Sequence, residues 1–125
     1  MVKSAISMIF VFFVLLSFGI YEKVFITENF NELNCVFTAL YEKIEEESAN
    51  GEDVVSTQKN WLNKKKYLHA FIPHTEIKEI DLWLSEAITF VDKKDYKEAL
   101  SKLEVLIELT EQIPKTFAVS FENIL

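Results

Sequence analysis

The sequence has no arginine, one cysteine, two glycines and two prolines. Each shortage excludes something. Without arginine there is no planar guanidinium fork to grip phosphates or carboxylates in two places at once. With Cys35 alone, no internal disulfide can form. Two glycines and two prolines across 125 residues leave too few turn residues for hairpins or a β-sandwich, and fit helices joined by short polar turns. The motifs of common chemistries are missing as well. There is no P-loop, no dinucleotide fingerprint, no Gly-x-Ser-x-Gly, no Cys-x-x-Cys and no His-Glu-x-x-His. No repeat of fixed period and no low-complexity tract is visible.

What is present is concentrated at the start. Met1-Val2-Lys3-Ser4 leads into an apolar run from Ala5 to Tyr21, which ends at Glu22-Lys23. Eleven Phe, Leu, Ile or Val residues lie between Ile6 and Ile20. They favour insertion into a bilayer by roughly 3 to 7 kcal/mol. A spanning helix needs about 20 apolar residues. Val2 to Tyr21 supplies them, with Lys3 snorkelling to the interface. A buried helix of a soluble protein would show a polar face here. Ser17 and Gly19 also suit a cleavage site ahead of Ile20. The two readings are therefore an uncleaved anchor, which the length of the run favours, and a signal peptide released after Gly19. Lys3 and the amino terminus stand on one side of the run; Glu22, Lys23, Glu28 and Glu32 stand on the other. By the positive-inside rule the N-terminus is cytoplasmic and the remainder extracytoplasmic. The expected domains are 1–21, anchor or signal peptide, and 22–125, an extracytoplasmic helical bundle.

Residues 22–125 hold twelve lysines against twenty carboxylates, a formal charge of −8. That argues against nucleic acid, whose phosphates demand cationic partners, and against peripheral binding to anionic lipid. Periodicity predicts an all-α fold, an antiparallel bundle of about four helices behind the transmembrane helix. Ile26, Phe30, Leu33, Phe37, Leu40 and Ile44 form an a/d-like stripe, so the first helix continues from the membrane to about Ser48. Cys35 lies opposite that stripe, as an exposed thiol or a half-covered small residue. A loop at 49–53 precedes a second helix over 54–71, with Trp61, Leu68 and Ile72 on one face. Lys65 falls on the same face and must snorkel or meet a carboxylate from a neighbouring helix. Lys64-Lys65-Lys66 otherwise reads as solvated surface. Pro73 stops this helix. The third begins at His74 or Thr75, with Thr75 as the expected N-cap, and runs to about Val91. Its broad face of Ile77, Ile80, Leu84, Ala87, Ile88 and Val91 suits the centre of a bundle. After the turn at 92–94, Asp95 and Glu98 have capping-box spacing. Helix four carries Ala99, Leu100, Leu103, Leu106 and Ile107 on one side and Val105 and Leu109 on the other. Pro114 is expected to kink or end it near Ile113. The tail of Phe117, Val119, Phe121, Ile124 and Leu125 is expected to fold back over the bundle or to form part of a partner surface.

One polar constellation stands out at the corner between helices two and three: Lys65, His69, His74 and Glu76, around Pro73 and beside Trp61. His69, His74 and Glu76 can be written as three ligands of a hydrolytic metal site. Two histidines five apart across a proline match no established ligand spacing, so a hydrogen-bonded structural corner is the favoured reading. Trp61 and Trp83 read as packing anchors.

Trp61, Lys64-Lys65, Leu68, the run Ala70-Phe71-Ile72-Pro73-His74, Glu76-Ile77, Ile113-Pro114 and Glu122-Asn123-Ile124-Leu125 resemble an uncharacterised bacterial family catalogued as a domain of unknown function (DUF 4363). The resemblance covers essentially the whole chain, and its most specific part is the Phe-Ile-Pro-His corner. It implies an N-terminal membrane segment, a helical remainder and a membrane-protein partner. It implies no activity, substrate, cofactor or catalytic residue. The expected role is a non-enzymatic, single-pass, outward-facing interaction or accessory module without cofactor. The alternatives are a secreted binding protein after signal cleavage and, last, a metal-assisted hydrolase at His69, His74 and Glu76.

Overall fold

A computed structural model describes residues 2–124, with side-chain surroundings for 2–116. Helix α1 (Val2–Glu45) is 44 residues long and passes from Tyr21 to Glu22 without a break. Its two halves differ in one physical respect. The first half leaves Phe10, Phe13, Leu15 and Ile20 more than half exposed. The second buries Ile26, Phe30, Leu33, Phe37, Leu40 and Ile44, the stripe expected from the sequence. One N-terminal helix is thus long and apolar enough to cross a membrane.

Helix α2 (Gly51–Leu68) starts earlier than periodicity suggested, because Asn50 and Asp53 form a capping box. The Asn50 side chain accepts from the Asp53 amide at 3.0 Å, and the Asp53 carboxylate accepts from the Asn50 amide at 3.0 Å. Two of the orphan donors at the helix start are thereby satisfied. Helix α3 (His74–Asp92) takes Pro73 in the N-cap position with no side-chain cap. Thr75 therefore lies inside the first turn, not at the cap. Pro73 supplies extended backbone (φ −55°, ψ 145°), and its carbonyl accepts from Glu76 and Ile77. Helix α4 (Tyr96–Ile124) opens on Asp95, whose carboxylate accepts from the Glu98 amide at 3.4 Å.

Pro114 lies inside α4 and does not end it. The ring removes the amide that would bond the Thr110 carbonyl. Packing along α1 compensates. Ile113 is buried, Thr110 is buried, and Asn34 Nδ2 donates to Thr110 Oγ1 at 2.9 Å. A helix whose apolar face is already seated tolerates a missing rung that an isolated helix would not. The side chains of Phe117, Val119, Phe121, Ile124 and Leu125, expected to cap the bundle, lie outside the described residues.

The four helices alternate in direction. α1 packs against α2 and α4, and α3 packs chiefly against α4. Trp61, Phe30, Phe37, Leu33, Leu68, Ile77, Ile80, Leu103 and Leu106 fill the shared core. Val105 and Leu109 are half-buried, and Leu109 packs on that core. Among the described residues of the bundle, the exposed aliphatic side chains include Val55 and Leu62 on α2 and Leu82 on α3, not the outer side of α4.

Candidate functional site

Helix α2 is held on both flanks by consecutive lysines. Lys64 Nζ reaches α1, where it pairs with the Glu32 carboxylate and donates to Asn29 Oδ1 at 3.3 Å. Lys65 Nζ reaches α3 and donates to Asp81 Oδ2 at 2.7 Å. A step of about 100° per residue puts neighbouring side chains on different flanks, so one lysine faces α1 and the next faces α3. Lys66 is exposed. The three-lysine run is therefore two braces and one solvated side chain.

Asp81 is the hinge pin of the α2–α3 contact. Its other oxygen, Oδ1, accepts from Trp61 Nε1 at 2.7 Å. Trp61 is almost fully buried, so its N–H needs an internal acceptor. Asp81 provides it, and the Lys65 ammonium balances the charge. Both carboxylate oxygens are thus committed to donors on α2. Sequence reasoning left Lys65 either snorkelling or meeting a carboxylate of a neighbouring helix; the second holds, and the partner is Asp81. Asp81 sits among apolar α3 positions, and only the inter-helix register brings it to Trp61.

The rest of the corner is open. His69 and His74 are exposed, and their rings stack at 5.4 Å with 30° between planes. Pro73 is exposed between them, and Glu76 is half-buried. Among the described residues, His74 makes no ion pair and no group of three His, Cys, Asp or Glu side chains gathers as metal ligands would. The structure thus unites Trp61 with Lys65 and His69 with His74, in two separate arrangements. Cys35 is exposed on the outer side of α1.

The height of the corner above the apolar segment follows from the α1–α2 register. Lys43 pairs with Asp53 at 2.6 Å, Lys64 with Glu32, and the rings of Phe25 and Phe71 pack at 5.2 Å between centroids. These pairs fall on one antiparallel alignment. The corner is therefore level with Phe25, one turn beyond Tyr21. Tyr21 in turn stacks on Phe25 at 6.2 Å.

Electrostatic perturbation is found at the opposite end. The Lys43 ammonium, followed by the Asn50 amide, holds the Asp53 carboxyl below its ordinary range. Tyr41 donates to Glu104 Oε1 on α4 at 3.1 Å, and that bond raises its phenol above the ordinary value. Lys102 on α4 lies 5.2 Å from the Trp83 ring and 3.8 Å from Glu86, tying α4 to α3.

Comparison with the curated proteins and with the solved structures finds no match. The family model of a domain of unknown function, DUF4363, matches residues 22–124. That stretch holds the second half of α1 with α2, α3 and α4, including the Trp61–Asp81–Lys65 brace and the His69–His74 corner. The chain belongs to the DUF4363 family.

Proposed function

We propose that the protein is a non-enzymatic membrane-anchored interaction module: one span near the N-terminus, the amino end cytoplasmic, and the helical bundle outside. The observation that carries this reading is the change of character along α1. A helix that buries one stripe in its second half and exposes Phe, Ile, Val and Leu on its first half needs an apolar solvent for that first half. Continuity of α1 makes the anchor and the bundle mechanically one rod, so the bundle is presented at a fixed height above the bilayer. Polar side chains at helix contacts are used to brace helices, as with Asp81, Lys64 and Asn34. The exposed Val55, Leu62 and Leu82 offer apolar contact area to a membrane-protein partner.

Protease added to intact cells tests sidedness. This reading expects digestion of the bundle with survival of a short membrane-embedded fragment. A chain fully protected until the cells are lysed contradicts it, and a mature chain in the medium starting at Ile20 replaces it with a secreted protein.

A further inference from the structure

We infer that the α2–α3 corner is a second membrane contact, seated in the lipid headgroup layer beside the point where α1 emerges. The inference rests on the anchored reading above and adds a surface that this reading does not assign.

Three observations meet at the corner. The first is height. Val2 to Tyr21 fills about 30 Å of hydrocarbon at 1.5 Å per residue. Phe25 lies four residues further, about 6 Å along the same helix. The headgroup layer on each side is about 5–7 Å thick. Phe71 packs on Phe25, so the corner is level with that layer and not with bulk water. The second is composition. Tyr21, Phe25 and Phe71 form a continuous run of touching rings from the end of the apolar segment to the corner. Aromatic rings are enriched at this depth, where one side is greasy and the other wet. The third is charge. Within 22–28 and 69–76, the exposed ionisable side chains are Lys23, Glu28, His69 and His74, while Glu22 and Glu76 are half-covered. Among the described residues, Lys23 and the two imidazoles thus face this level with one exposed carboxylate, Glu28, so the acidic character of the bundle is thinned there. An acidic domain is poorly drawn to a membrane from solution. One already tethered a single helical turn away needs no long-range attraction.

The two contacts together restrict the bundle to one tilt and one rotation about α1. A lone helical stalk would leave it free to swing.

The test uses the full chain in phosphatidylcholine vesicles, with Cys35→Ser as background and single nitroxide labels placed by Ala70→Cys or, in a second variant, His74→Cys. Both positions are exposed, so neither substitution disturbs the core. Phe12→Cys reports on the anchor, and Val55→Cys reports on the far end of α2. Collision with oxygen and with a water-soluble nickel chelate gives depth. The expected result is a severalfold higher oxygen-to-nickel ratio at residues 70 and 74 than at residue 55, with residue 12 deep in lipid. Residue 12 in lipid with residues 70 and 74 indistinguishable from residue 55 overturns the corner contact and leaves the anchor standing. Residue 12 in water overturns both.

Discussion

Replacing Asp81 should separate two contributions that the structure joins at one carboxylate. Asp81→Ala leaves the Trp61 N–H without its acceptor in an almost fully buried position, and leaves Lys65 without its counter-charge. Loss of a hydrogen bond to a charged acceptor costs about 1.5–3 kcal/mol. The Lys65–Asp81 pair is about a third exposed on each side, so screening limits its share to about 0.2–1 kcal/mol. The expected cost of Asp81→Ala is therefore about 2–4 kcal/mol. Asp81→Asn keeps an amide oxygen for Trp61 and loses only the charge, at a cost of about 1 kcal/mol. Thermal unfolding of the full chain in detergent micelles, followed by circular dichroism and by tryptophan emission, should rank wild type above Asp81→Asn and Asp81→Asn above Asp81→Ala. The spread between the extremes should be near 10 °C, at about 3–5 °C per kcal/mol for a chain of this size. A Trp61→Phe background removes the donor, so Asp81→Ala should cost markedly less there. An Asp81→Ala variant as stable as wild type, or one equally damaging in both backgrounds, would refute the brace.

Three further expectations can be checked by the same unfolding measurement. Gly51→Ala should raise stability by about 0.5–1 kcal/mol, because Gly51 opens α2 without a positive φ and nothing lies within 4 Å of an added Cβ. Lys94→Gly should also stabilise, by about 1 kcal/mol, since Lys94 holds φ near 60° at the end of α3, a left-handed conformation that costs a side-chain-bearing residue roughly that much. The depressed carboxyl of Asp53 contributes stability that is present above its unfolded-state pKa and lost as pH falls through its lower folded-state value. Asp53→Asn should therefore flatten the acid limb of a midpoint-versus-pH curve while leaving its neutral-to-basic limb unchanged in shape.

The parts of this fold that were legible in the sequence are those set by local pattern. The α1 stripe from Ile26 to Ile44 follows from spacing alone, and all six side chains are buried. The break between α2 and α3 follows from Pro73, which disfavours helical backbone at the residue before it, although α2 already ends at Leu68 and not at the expected residue 71. The start of α2 was signalled as well: Asn50 and Asp53 have capping-box spacing, but Asn-Gly-Glu-Asp reads as a turn when glycine is taken as the dominant cue. Lys94 gave no signal, because its left-handed backbone is imposed by closure of the α3–α4 turn, where the Asp95 amide bonds the Phe90 carbonyl at 2.9 Å. Of the two outcomes expected at Pro114, a kink or an end, the end does not occur. Proline's cost is local, whereas the burial of Ile113 against the bundle is not. Asp81 is the clearest case at the candidate site. Its partners lie 16 and 20 residues away on another helix, and no periodicity in α3 distinguishes it from a solvated carboxylate. The corner histidines were visible as a pair, but their height above the apolar segment emerges only from the Phe25–Phe71 and Lys43–Asp53 alignment.

The claim on which the functional account depends is that the first half of α1 stays in the bilayer. Alkaline carbonate extraction of native membranes, followed by the intact mass of the retained protein, tests it most directly. The account predicts a pelleted chain of full length that still carries the residues ahead of Ile20. A full-length chain released into the carbonate supernatant would contradict it.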